Sequence, residues 1–136
     1  MTMIPFAKPG PIRVDEACYR GDDWDRAYQQ MARNPTDDTT SVIDWTGYTV
    51  RMQIRDEVDG PVLFTASTSN GRITVGPGSN VYGDTWQMWI HLSESDTRSF
   101  PAGYVGRYDI EFTAPDGKIR TEYFGIWRVE GDVTLP

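Results

Sequence analysis

The clearest feature of the chain is a regular alternation of apolar and polar residues in three segments. These segments are 48–55 (YTVRMQIR), 86–92 (WQMWIHL) and 107–112 (RYDIEF). A period of two is typical of an antiparallel strand with one buried and one exposed face. The pattern therefore predicts three strands whose buried residues are Tyr48, Val50, Met52, Ile54, Trp86, Met88, Ile90, Leu92, Tyr108, Ile110 and Phe112.

Short turn signals separate these strands from others. Asp59-Gly60-Pro61 precedes an apolar segment at 62–65, and Asn70-Gly71 leads from there into another at 72–75. Because Asn-Gly and Asp-Gly favour tight hairpin turns, we predict two successive hairpins in this region.

The last strand is predicted at 118–129, after the turn signal Asp116-Gly117. Ile119, Thr121 and Tyr123 share one parity in this strand, and Gly125 continues it. A glycine inside a strand predicts either a bulge or the close approach of another backbone.

The other segments are less regular. Residues 1–11 contain three prolines, which cannot donate to a strand ladder, so we predict an extended arm that docks on a neighbouring molecule. A strand is predicted to begin near Ile12. The segment 22–33 has a helix-favouring composition but a strand-like alternation, and we predict a strand because the later elements are strands. Residues 76–84 contain three glycines and a proline, which predict a mobile loop or hairpin tip.

These elements together predict an all-β fold. Seven or eight short strands with frequent turns are typical of an antiparallel, immunoglobulin-like β-sandwich. Ser93, followed three residues later by Asp96, predicts a capped helical turn that crosses between the sheets. In this interpretation residues 12–136 form a single sandwich domain, and residues 1–11 form its extended N-terminal arm.

Charge and cysteine content narrow the classes of partner. The chain has 136 residues, with 13 Lys and Arg against 20 Asp and Glu, and a formal net charge of −7. Because phosphate binding needs clustered cations, we expect no nucleic-acid partner. No apolar run reaches the roughly 20 residues that span a bilayer, so we expect no membrane partner. Because Cys18 is the only cysteine, the chain cannot form an internal disulfide.

Few side chains suggest chemistry. The aspartates of segment 22–25 lack the spacing of a calcium loop and are interpreted as a solvated strand start. Asp109 and Glu111 lie on one strand face, where a cross-strand charge ladder explains them. The only histidine, His91, has no partner for a catalytic triad and is interpreted as a surface residue. We therefore expect no catalytic residue, no metal and no cofactor.

The five tryptophans are candidates for a contact surface. Most of them have the inward parity of their strands, so core packing explains them first. Trp89 and Trp45 remain as contact candidates, together with Tyr82 in the segment 76–84.

The order of several motifs resembles a known family. The motifs are D-W-T-G-Y at 44–48, N-G-R-I at 70–73, P-A-G followed by G-R-Y-D-I-E within 101–111, and D-G-K at 116–118. In this order they resemble the small immunoglobulin-like domains of tailed-phage virion proteins. The chain is similar to the N-terminal domain of phage baseplate upper proteins and related tail proteins. Trp45 stands where that family usually has leucine, and residues 103–106 include extra residues.

The resemblance implies a structural subunit of a tailed-phage virion, most simply a tail, baseplate or fibre-attachment adaptor. Its partners would be other virion proteins and copies of itself, and it would assemble in the host cytoplasm and reside in the virion. Ile4, Pro5 and Phe6 of the arm would anchor a neighbour. The alternatives are a head-decoration or head–tail connector protein, and a carbohydrate-binding adhesion module that uses Trp45, Trp89 and the segment 76–84.

Overall fold

Strands are the main secondary structure of the described residues, as predicted. The computed structural model describes residues 11–29, 31–33, 36–37, 40–42, 44–80 and 83–131. Its elements are β1 (Ile12–Arg13), β2 (Glu16–Tyr19), β3 (Trp24–Gln29), β4 (Met31–Arg33), β5 (Thr40–Val42), β6 (Thr49–Arg55), β7 (Val62–Ser67), β8 (Ile73–Asn80), β9 (Gly83–Leu92), the short helix α1 (Glu94–Arg98), β10 (Val105–Thr113) and β11 (Ile119–Glu130).

Most strands belong to two sheets. The larger sheet has the order β1-β11-β10-β6-β7, with β2 also paired to β11, and the smaller sheet has the order β3-β9-β8. β4 and β5 pair with each other. β1 and β2 follow one another along the same partner, both parallel to β11. Counted as one position, they bring the two main sheets to eight strand positions, in agreement with the prediction.

The two main sheets enclose a common core. The predicted inward residues of β6, β9 and β10 are buried: Val50, Met52, Ile54, Met88, Ile90, Leu92, Tyr108, Ile110 and Phe112. Ring pairs join the sheets. Trp24 meets Trp127 edge to face with centroids 5.0 Å apart, and Tyr28 meets Tyr123 at 4.6 Å. The side chain of Trp86 lies outside the described residues. The result is an all-β, sandwich-like fold.

The chain crosses from one sheet to the other after β7, where the Asn70-Gly71 signal predicts a hairpin. That prediction is wrong, because β7 pairs with β6 whereas β8 pairs with β9. The Asn70 side chain folds back on β7 instead, accepting from the Ser67 N–H and donating to the Thr65 carbonyl, both at 2.9 Å. The Asn-Gly turn therefore redirects the chain towards the smaller sheet.

Residues 76–84 are mainly strand rather than loop. β8 and β9 pair from Ile73 opposite Ile90 out to Asn80 opposite Gly83. Pro77 fits within β8 because an edge strand does not need every backbone N–H for the sheet. Residues 81 and 82 lie outside the described residues.

The last strand contains a bulge at a position that the sequence pattern does not predict. Ile110 pairs with Tyr123 but Glu111 pairs with Thr121, so Glu122 is an extra residue in β11. The extra residue shifts the parity, and Ile119 is consequently exposed although it shares its sequence parity with the buried Tyr123.

Gly125 marks a close approach of two backbones, one of the two predicted alternatives. A Cβ atom at this position would lie 2.7 Å from the Val14 carbonyl carbon, and closer still to its oxygen. The Val14 N–H donates to the Phe124 carbonyl at 2.8 Å, and the Ile126 N–H donates to Asp15 at 3.0 Å. The link between β1 and β2 therefore lies directly against β11.

The close approach predicts that two glycine-to-alanine substitutions differ in their effect on the free energy of unfolding. Gly125→Ala should destabilise the fold by about 1–3 kcal/mol, because the added methyl group overpacks a backbone contact. Gly76→Ala is the matched control, since its Cβ would lie 3.6 Å from Trp89, an ordinary contact. Urea unfolding followed by tryptophan fluorescence measures both. Equal effects at the two positions would contradict the packing of the N-terminal strands on β11.

Candidate functional site

The predicted contact residues fall into three groups. Ile4, Pro5, Phe6 and Tyr82 lie outside the described residues. Trp45 is buried, with 1% of its surface exposed. Trp89 is half-buried on β9. The structure therefore does not bring the predicted contact residues together on one described surface.

Trp45 belongs to the core, which corrects its assignment as a contact residue. The predicted turn at 44–47 is present: the Asp44 carboxylate accepts from the Thr46 N–H at 2.8 Å, and Gly47 has a φ of 79°. This turn directs the Trp45 ring inward, where its centroid lies 4.9 Å from that of Phe112. A sugar-binding face cannot use a ring that is enclosed in this way.

Trp89 lies on the outward side of the smaller sheet, as its parity predicts. Its neighbours across the sheet are Ala27 on β3 and Thr74 on β8. Gly76 lies beside the ring. Small neighbours leave part of the indole accessible, so Trp89 remains a contact candidate.

The outward side of the larger sheet carries one of the cross-strand ion pairs that the sequence predicts, the pair of Glu111, but none for Asp109 among the described residues. Glu111 on β10 lies opposite Arg51 on β6, and the two side chains form a salt bridge of 3.1 Å. Burial between the neighbouring strands and the charge of Glu111 raise the pKa of Asp109, against the opposing effect of Arg55 and Arg51. Glu111 therefore belongs to a cross-strand ion pair on an exposed sheet face, whereas Asp109 lies opposite the uncharged side chains of Gln53 and Phe124.

A second cluster of polar residues joins α1 to the rest of the fold. The predicted cap is present, since the Ser93 hydroxyl accepts from the Asp96 N–H at 3.2 Å and the Asp96 carboxylate accepts from the Ser93 N–H at 3.0 Å. Arg72 binds the same carboxylate with two hydrogen bonds of 2.9 and 2.8 Å. The Arg72 contact lowers the pKa of Asp96. No local pattern indicates this contact, because 24 residues separate the two partners.

The aspartates of segment 22–25 make structural contacts with α1 and β9. The Asp22 carbonyl accepts from the buried Thr97 hydroxyl at 2.8 Å, and the Asp23 carboxylate accepts from the Glu94 N–H at 3.0 Å. Asp25 contacts His91. Among the described residues no group of three or more His, Cys, Asp or Glu side chains could hold a metal ion.

Cys18 is a buried residue of β2 rather than an accessible thiol. Burial, assisted by the charge of Asp22, raises the pKa of its thiol to about 11. Because the thiolate is the reactive form, the thiol is unreactive at neutral pH.

One edge of each main sheet carries features that hinder strand addition. On β7 the Asn70 amide occupies backbone groups of Thr65 and Ser67, and a bulge interrupts the pairing near Leu63. On β8 Pro77 lacks a backbone N–H. Bulges, prolines and occupied edges are devices by which sheet proteins avoid edge-to-edge association. Among the described residues, contacts with other molecules are therefore better sought on the faces of the sheets than on these two edges.

Comparison with known proteins gave no relative: no protein-family model matches the chain, and no curated protein matches it in sequence. Among the described residues, no helix has the length and apolar character needed to cross a membrane.

The pKa of the His91 imidazole reports on the surface of the smaller sheet. Its Nδ1 atom contacts the Asp25 carboxylate across β3 and β9, and this contact raises the pKa of the imidazole above its usual value near 6.5. The folded state therefore favours the protonated ring. The resulting stabilisation is complete below about pH 6.5 and is lost as the pH rises through the higher folded pKa.

Asp25→Asn should lower the pKa of His91, since the neutral amide removes the charge that stabilises the imidazolium. NMR titration of the single histidine Cε1–H resonance measures the change. Glu130→Gln, at an exposed position on β11, is the control and should leave the pKa unchanged. An unaltered pKa in Asp25→Asn would contradict the contact between the two side chains.

Proposed function

We propose that this chain is a structural subunit of a tailed-phage virion, placed in the tail, the baseplate or a fibre-attachment site, and that it acts through protein–protein assembly. The observation that carries the proposal is where the family-like motifs fall. D-W-T-G-Y forms the turn before β6, P-A-G precedes β10, and D-G-K forms the turn before β11. These three motifs thus form turns or precede strands of the sandwich, which supports the proposal.

The strand order supports an immunoglobulin-like arrangement of the sandwich. The chain changes sheets between β2 and β3, between β3 and β6, between β7 and β8, and between β9 and β10. Such repeated crossings between two mainly antiparallel sheets are typical of Greek-key sandwiches, the class to which immunoglobulin-like domains belong.

The mode of assembly follows from the surfaces that remain available. Since the edges of β7 and β8 are hindered, we assign the main contact to the N-terminal arm with Ile4, Pro5 and Phe6 as anchors. Exposed apolar side chains on an extended arm are stabilised when another subunit covers them. The net charge of −7 keeps free subunits apart in solution. The expected partners are other virion proteins and copies of the chain, and a head-decoration or connector position is the alternative within the same particle.

Removal of residues 2–10 should weaken assembly and leave the melting temperature of the domain almost unchanged, because the arm contacts a neighbour rather than its own core. Size-exclusion chromatography with light scattering measures assembly, and calorimetry measures melting. The double variant Ile4→Ser, Phe6→Ser keeps the length of the arm and should reproduce the loss. A large fall in melting temperature would place the arm in the domain's own core. A full chain that stays monomeric at every concentration would contradict self-assembly.

A further inference from the structure

A shallow groove crosses the outward side of the larger sheet. It has a volume of about 410 Å³ and lies over β6, β10 and β11. The strand register aligns its side chains in rows. Phe124, Asp109 and Gln53 form one row, and Arg107 and Arg55 form the next.

Some polar groups in the groove are already engaged. Glu111 pairs with Arg51, and Arg55 donates to the Gln53 side-chain oxygen at 3.0 Å and to the Gly60 carbonyl. In contrast, the side chains of Arg107 and Asp109 make no hydrogen bond or close ion pair with any residue in the described part of the chain. They lie two residues apart on β10, so they point to the same side of the sheet. The centre of the groove thus offers five N–H donors beside a free carboxylate acceptor.

An aromatic ring borders these two polar groups. Phe124 lies directly opposite Asp109 across β10 and β11, and 37% of its surface is exposed. A partly exposed ring on a sheet face provides a flat apolar platform. The groove therefore combines a donor, an acceptor and a stacking surface within two neighbouring rows.

The charge balance of the groove limits the class of ligand. Its lining has nearly equal numbers of positive and negative groups: Arg51, Arg55 and Arg107 against Glu57, Asp59, Asp109 and Glu111. A polyanion would meet these carboxylates and the overall charge of −7, and a polycation would meet the arginines. A neutral ligand rich in hydroxyl groups is repelled neither by the carboxylates nor by the arginines. Its hydroxyls can donate to Asp109 and accept from Arg107, and its C–H faces can lie on Phe124.

We propose that this groove binds a segment of a neutral polysaccharide, with one sugar ring stacked on Phe124 and its hydroxyl groups bonded to Asp109 and Arg107. The site is on the opposite sheet from Trp89, and it is separate from the virion assembly proposed above. Failure of one therefore does not imply failure of the other.

Native affinity electrophoresis tests this proposal with the full chain. The gels contain dextran, galactomannan or hydroxyethyl cellulose as neutral probes, and alginate as the acidic probe. We expect at least one neutral polymer to retard the protein. Asp109→Ala and Phe124→Leu should each weaken the retardation about tenfold. Asp109→Ala removes a hydrogen-bond acceptor, and Phe124→Leu keeps an apolar side chain of similar bulk but removes the aromatic ring.

Three control variants show whether the groove itself binds the polymer. Phe124→Tyr should be retarded like the unaltered protein, since it keeps the aromatic ring. Glu130→Gln and Trp89→Ala should also be retarded like the unaltered protein. Circular dichroism verifies that each variant is folded. Retardation by alginate alone, or by none of the four polymers, would overturn the proposal. Loss of retardation in Trp89→Ala with retention in Phe124→Leu would also overturn it, in favour of the smaller sheet.

Discussion

The docking of the two N-terminal strands on β11 is the contact that organises the sandwich. At Gly125 the backbone of β11 approaches that of Val14 so closely that a side chain could not fit. The Tyr108 hydroxyl donates to the Val14 carbonyl from the core side. Glu16, buried on β2, forms a salt bridge of 2.9 Å with Arg26 of the smaller sheet. The N-terminal strands therefore connect both sheets at one side of the core.

This docking also defines one edge of the larger sheet. β1 and β2 form one edge of the larger sheet, and β7 forms the opposite edge. Asn70 and the bulge near Leu63 hinder that opposite edge. The outward face between the two edges carries the Arg51–Glu111 ion pair and the groove around Asp109. The proposed assembly contact and the proposed polysaccharide groove therefore use different parts of the chain.

Much of the fold follows from local patterns, whereas the contact surfaces depend on register. Alternation identifies the buried face of β6, since Val50, Met52 and Ile54 need only the period of a strand. Asn70-Gly71 misleads because a dipeptide specifies a turn but not the partner of the next strand. Trp45 is wrongly assigned from sequence because the inward direction of its turn depends on packing against Phe112. The pairing that places Phe124 beside Asp109 depends on the bulge at Glu122, which no local pattern indicates.

Hydrogen exchange of the Val14 amide measures directly whether the N-terminal strands are docked. This N–H donates to the Phe124 carbonyl at 2.8 Å, beside the close approach at Gly125. If the N-terminal strands are part of the cooperative unit, Val14 should exchange as slowly as the core amide of Ile110, through the same global opening. Exchange of Val14 at the rate of an unstructured peptide, with Ile110 still protected, would show that these strands do not hold the two sheets together.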